Sequence, residues 1–165
     1  MIVYVVRHGI AEDHGPDGTD ASRRLTPRGR TRMQEIGRGL VRCGVRADAV
    51  LTSPLPRASE SAAIVAAALD AATPRPLPVL ATGTSAAEVL RALAPFARQE
   101  HVMVVGHEPT LSELVALVCT GSPRGVAIRL KKGGCVAVEL ASLNPPRSAV
   151  LRWAATPRQL RLAGR

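Results

Sequence analysis

The sequence predicts a single-domain α/β fold in which a mostly parallel sheet is flanked by helices on both faces, with an antiparallel addition. Two observations point there. Apolar runs at Ile2 to Val6, Ala49 to Thr52 and His101 to Val105 alternate with longer stretches of helical periodicity, and strands alternating with helices imply parallel pairing under two helical layers. Two later runs, Cys135 to Leu140 and Val150 to Trp153, have no helix between them, which suggests an antiparallel pair. At 165 residues the chain fits one domain spanning residues 1–165, long enough for a real core.

The elements follow in order. Ile2-Val3-Tyr4-Val5-Val6 is a strand that stops at Arg7-His8-Gly9. Residues 11–24 are polar, contain Gly15, Pro16 and Gly18, and read as a loop. Thr26-Pro27 supplies a cap and a proline at the first helical position of a helix running to about Arg42. Met33, Ile36, Leu40 and Val41 form its apolar face, and Gly44 ends it. Ala49 to Thr52 is a second strand, stopped by Ser53-Pro54, and Ser53 reads as the cap of a helix starting near Pro54. That helix continues from Pro56 through Leu69, with Ala58, Ala62, Val65 and Leu69 on one face. The proline-rich stretch Thr73 to Pro78 leads into a short extended segment at Val79-Leu80, and Ser85 caps a helix reaching about Ala97. His101 to Val105 is the third clear strand, ending at Gly106-His107, and Pro109 to Val118 is the next helix. Lys131-Lys132-Gly133-Gly134 reads as a solvated turn, and Arg158 to Arg165 as a frayed or surface end.

Composition narrows the function classes. No apolar segment is long enough to span a bilayer, so no membrane role is expected. The first residues lack a basic region followed by a long apolar stretch, so no signal peptide is read and the expected location is cytoplasmic. Cys43, Cys119 and Cys135 lie far apart without paired spacing, which favours reduced thiols over a disulfide framework or a zinc site. The formal net charge is +9, and a positive field of that size draws in anions. The basic residues are spread along the chain and aromatics make up only 2% of it. That argues against specific nucleic-acid binding, which uses stacking platforms.

Three strand ends then carry matching chemistry. The first offers Arg7 and His8, the second Ser53 and, one helical turn on, Arg57, and the third His107. In an open α/β sheet the ligand site lies beyond the carboxyl ends of the strands. Two arginines and two histidines converging there beside helix N-termini suit a dianionic phosphoryl group.

Arg7-His8-Gly9, the segment Leu51-Thr52-Ser53-Pro54-Leu55-Pro56-Arg57-Ala58, Val104-Val105-Gly106-His107 and Leu25-Thr26-Pro27-Arg28-Gly29 resemble the histidine phosphatase superfamily. In length and motif order the chain looks like its small SixA-type phosphohistidine phosphatases, with a phosphoglycerate mutase-like fold. The resemblance implies that His8 is a nucleophile carrying a transient phosphoryl group. It implies that Arg7, Arg57 and His107 bind the equatorial oxygens, with Gly9 and Ser53 as further substrate-binding residues. It implies no cofactor and no metal, and the sequence shows no clustered carboxylates to hold one.

The chain departs from the superfamily at the general acid. Larger members carry a glutamate in mid-chain, where this sequence reads Leu77-Pro78-Val79-Leu80-Ala81-Thr82-Gly83. Glu12, Asp13 and Glu108 are the candidate proton donors, and Glu88 lies downstream on a helix flank. A site without a dedicated acid suits P–N cleavage better than P–O cleavage, because an alkoxide needs a proton to leave. The mutase pattern also places an asparagine where this chain has His14. The chain is too short for insertions that would close over a small sugar or glycerate. A monomer acting on phosphohistidine of a protein is the leading expectation. The alternatives are a phosphatase for small phosphate esters and a noncatalytic module binding anions or nucleic acid.

Overall fold

The computed structural model describes residues 1–143 and 149–165. Along the chain these form β1 (Ile2–Arg7), α1 (Pro27–Arg42), β2 (Ala49–Thr52), α2 (Pro56–Ala68), β3 (Arg75–Pro76) and α3 (Ala86–Ala92). There follow β4 (His101–Gly106), α4 (Thr110–Thr120), β5 (Cys135–Leu140), β6 (Ala149–Ala155) and α5 (Pro157–Ala163). The strands make one sheet in the order β3-β2-β4-β1-β5-β6. The first four are mutually parallel, β5 is antiparallel to β1, and β6 is antiparallel to β5.

Side-chain alternation along the strands divides the core between the two faces of the sheet. Val3 and Val5 of β1 join Val102 and Val104 of β4 beneath α3 and α4, where Val89, Leu90, Leu111 and Leu114 close the layer. Tyr4 and Val6, with Met103 and Val105, face the other way onto Met33, Ile36 and Leu40 of α1 and Ala62 and Val65 of α2. The expected two-layer cover is therefore present.

Register places the strand ends at one level. Arg7 lies opposite Gly106 and Thr52 opposite Val105, so His8, Ser53 and His107 leave the sheet side by side. Because β5 starts opposite Val6 and runs the other way, the turn preceding it reaches the same edge.

Several expectations need correction. The C-terminal residues are not a frayed end but α5. Thr156 and Gln159 form a reciprocal capping box with Pro157 at the helix start, a strong start signal, and Leu160 is buried against α1. The approach is close: a Cβ on Gly39 would sit 1.9 Å from the Leu160 carbonyl oxygen. Val79-Leu80 belong to a 3₁₀ turn, Pro78–Leu80, rather than to an extended segment. The sheet edge there is the two-residue β3, whose ladder ends where Leu77 N–H donates to the Thr52 carbonyl. The helix capped by Ser85 stops at Ala92 rather than near Ala97 and gives way to a 3₁₀ turn, Ala94–Phe96. Pro95 explains this, since it has no N–H to continue the ladder and its ring clashes with the preceding turn. Val41 points outward, 46% exposed, instead of joining the apolar face of α1. Thr26 does cap α1, accepting from Gly29 N–H at 2.9 Å.

Candidate active site

β1 delivers Arg7 and His8. The Arg7 side chain donates through Nη1 to the Leu130 carbonyl at 2.9 Å, and its Nε is buried with no partner among the described residues. His8 is 5% exposed, and its Nδ1 lies 2.7 Å from the Gly9 carbonyl oxygen. A carbonyl only accepts, so Nδ1 carries the proton and the neutral ring keeps a bare lone pair on Nε2. Gly9 N–H donates to Ser61 Oγ at 2.9 Å, and the Ser61 hydroxyl donates to the Arg57 carbonyl at 2.6 Å. The loop after β1 is thereby tied to the first turns of α2.

The second and third strand ends supply Ser53 and His107. The His107 ring is 4% exposed, and its centroid lies 5.0 Å from that of His8. Its Nε2 is 2.8 Å from Ser53 Oγ, and its buried Nδ1 has no partner among the described residues. Ser53 is not the helix cap expected of it: α2 begins at Pro56, and its N-cap position is Leu55, which makes no side-chain cap. Ser53 Oγ instead accepts from Leu55 N–H at 3.2 Å while orienting His107.

Arg57, 3% exposed, occupies the first turn of α2. Its Nη1 donates to the Asp20 carbonyl at 2.6 Å and its Nη2 to Asp20 Oδ2 at 2.8 Å. Arg23 Nη1 donates to the other carboxylate oxygen at 2.7 Å. Asp20 sits in the polar loop, which Asp17 organises by accepting from Thr19 N–H at 2.9 Å and from the Thr19 and Ser22 hydroxyls. Arg23 first, then Arg57, holds the Asp20 carboxyl below its ordinary range, so it is an anion at neutral pH.

Electrostatics keep both imidazoles neutral. Burial lowers His8 to about 3, offset in part by its bond to Gly9 and reinforced by His107, Arg57 and Arg7. Burial, followed by Arg57, lowers His107 to about 4, with Asp20 acting in the opposite direction.

The sequence nominates three carboxylates as proton donors. Glu108 folds back on the start of α4, accepting from Ser112 N–H at 3.1 Å and from its hydroxyl at 2.7 Å. Glu12 accepts weakly from Arg24 N–H at 3.4 Å, and Asp13 is exposed. None of the three hydrogen-bonds to Arg7, His8, Arg57 or His107 among the described residues. Asp20, which sequence reasoning did not nominate, is the carboxylate on Arg57. No local signal marks it, because the contact depends on how the loop returns over α2. Ser61 was also missed, although its position one turn after Arg57 is a readable helical spacing. Among the described residues no group of three or more His, Cys, Asp or Glu side chains could hold a metal ion. No helix among them is long and apolar enough to cross a membrane.

Comparison with known proteins identifies the family of this chain. The sequence pattern of the histidine phosphatase superfamily (branch 1) matches residues 3–82. The structure of the protein histidine phosphatase SixA complexed with tungstate superimposes with a TM-score of 0.84 at 25% identity, covering 97% of this chain and 99% of that one. The chain is a SixA-type member of the histidine phosphatase superfamily. An uncharacterised protein from Picosynechococcus sp. is 35% identical to this phosphatase over 138 residues, which is 82% of this chain and 83% of the relative. A phosphoserine phosphatase mutant from Entamoeba histolytica, in complex with phosphoserine, shares the fold with a TM-score of 0.70. Its identity is 15%, over 96% of this chain and 98% of the other. The phosphoglycerate mutase-like architecture of this phosphatase thus extends to enzymes named for different substrates.

Proposed function

We propose that this phosphatase removes the phosphoryl group from phosphohistidine on a protein, with His8 as nucleophile and no metal ion. The observation that carries this reading is the His8–Gly9 contact, which leaves Nε2 unprotonated beside two arginines and a second histidine. In the first step the Nε2 lone pair attacks phosphorus, the P–N bond to the substrate imidazole breaks, and its electron pair goes to the departing nitrogen. A phosphorylated imidazole protonated at its other nitrogen leaves as neutral imidazole, so no general acid is required. His8 then bears the phosphoryl group on Nε2 as an imidazolium whose Nδ1–H still donates to Gly9. In the second step water attacks phosphorus and the P–Nε2 pair returns to His8. Both protons of the water leave with the product as dihydrogen phosphate.

Arg7, Arg57 and His107 supply the charge stabilisation that phosphoryl transfer chiefly needs. Gly9 stays part of the nucleophile's own anchor, and Ser53 acts through His107. A hydroxyl donating to His107 Nε2 leaves Nδ1 protonated and able to donate to an oxyanion. Tungstate bound to the similar SixA structure is an oxyanion of this kind.

A second reading, hydrolysis of small phosphate esters, is favoured by one observation. The fold is shared with a phosphoserine phosphatase in complex with phosphoserine, although Asp20, ionised on Arg57, has no proton to give an ester leaving group. Phosphate release is measured side by side from a phosphohistidine-bearing protein and an aryl phosphate, both in EDTA, with His8→Ala as control. Turnover of the phosphohistidine, lost in His8→Ala and absent with the ester, is the expected result. Preference for the ester transfers the function to small-molecule substrates and requires a proton donor other than the ionised Asp20.

A further inference from the structure

Beside the nucleophile lies a second, unassigned recess of about 150 Å³, whose lining begins at Gly9. Its floor includes Met33 and Ile36 of α1, and its rim carries Arg32, Lys132, Arg158 and Arg161. Among the described residues, of these four cations only Arg161 is neutralised, by Glu35. Arg32, Lys132 and Arg158 form no ion pair among the described residues. We infer that this recess holds an acidic side chain flanking the phosphorylated residue of the protein substrate, an inference that rests on the phosphohistidine-protein reading above.

The three cations come from three separate elements, and each element is locked to the nucleophile or to its supporting helix. Gly133 N–H donates to the Arg7 and His8 carbonyls at 3.0 and 3.1 Å, and Arg7 N–H donates to the Gly134 carbonyl at 3.2 Å. The turn carrying Lys132 is therefore stapled to the end of β1, and the expected solvated turn proves to have both glycines buried. Arg158 stands on α5, which is held by its capping box, by Leu160 and by the Arg161–Glu35 pair to α1. Arg32 lies one residue before the fully buried Met33. An excess of like charge fixed in a concave site on a rigid frame is a preorganised anion receptor.

Reach selects the occupant. Consecutive residues advance at most ~3.5 Å, so Gly9 and Ile10 lie within about 7 Å of the His8 backbone. A substrate consisting of one phosphorylated group fills the phosphoryl site and stops there. A polypeptide with an aspartate or glutamate one to three residues from its phosphohistidine spans both sites. The guanidinium forks of Arg32 and Arg158 match the geometry of that carboxylate.

The test uses two phosphohistidine peptides that differ only in having Glu or Gln beside the phosphorylated residue, with free phosphohistidine as a reference. The expected result is a kcat/KM about tenfold higher for the Glu peptide, the sum of two or three partly exposed charge contacts. In Lys132→Glu/Arg158→Glu that preference is reversed, and Lys132→Gln/Arg158→Gln serves if charge reversal unfolds the protein. Equal kcat/KM for both peptides in the wild type, or a preference unchanged in the variants, overturns the recess. A wild type inactive on all three substrates but active on esters overturns the phosphohistidine reading instead. In that case calorimetric titration with oligoglutamate decides the recess: binding lost in the double variant supports it, and no binding to the wild type refutes it.

Discussion

Taking the protein from about pH 7.5 to about pH 4.5 perturbs His8 and His107 differently in the folded and unfolded states. In the unfolded chain each protonates near its ordinary value of about 6.5. In the folded chain burial, with help from the neighbouring cations, brings His8 down to about 3 and His107 to about 4. The unfolded state therefore binds more protons throughout this window, so stability is intact above about pH 6.5 and falls as the pH drops toward the folded-state values. One unit corresponds to about 1.4 kcal/mol, so two units below 6.5 each histidine costs about 2.5 kcal/mol and the pair about 5 kcal/mol. That equals the lower end of the whole stability of a typical domain, about 5–15 kcal/mol. The assay is the urea midpoint as a function of pH at constant ionic strength, for the wild type and for His8→Gln/His107→Gln. The variant has lost both titrating groups, so its curve is expected to stay flat within about 1 kcal/mol where the wild type falls by about 5 kcal/mol. Carboxylates lowered by their partners, such as Asp20, Glu35 and Glu88, begin to contribute only near and below their unfolded values of about 4. Parallel curves for the two proteins would refute the claim that the site holds these rings neutral at the expense of stability.

Three substitutions test the remaining contacts. Asp20→Asn removes the anion that competes with a phosphoryl oxygen for Arg57, so inorganic phosphate is expected to inhibit about tenfold more tightly. Weaker inhibition would instead make Asp20 the residue that positions Arg57. Ser61→Ala leaves Gly9 N–H buried without its acceptor, at a cost of about 1–3 kcal/mol in unfolding free energy. A lower kcat at unchanged KM is expected with it, and a fully active enzyme would deny that this bond holds the nucleophile loop. Gly39→Ala drives a methyl group to 1.9 Å from the Leu160 carbonyl. The helices must separate at a cost of about 1–3 kcal/mol, read from the urea midpoint, and an unchanged midpoint would show that α5 contributes nothing to the core.

Periodicity is a local property, so the alternation of strands and helices was legible from residue order. So were the Thr26 cap and the three strand ends that carry Arg7, His8, Ser53 and His107. The cost of one proline inside a helix is also local, and Pro95 could have been read as ending the helix after Ser85. Thr156-Pro157 with Gln159 likewise announces α5, but whether so short a helix persists depends on Leu160 finding α1 beneath it. The chemistry of the site rests on contacts between residues far apart in the chain. Asp20 reaches Arg57 across 37 positions, and the pairing of β1 with β5 brings Gly133 onto Arg7 and His8. Sequence order carries no record of such closures, because loop return and strand register are set by the packing of the whole sheet. His8, proposed as the nucleophile, therefore stands in a tripeptide that is visible in the sequence. Its neutral state and the anion standing on Arg57 came into being only when the sheet edge was assembled.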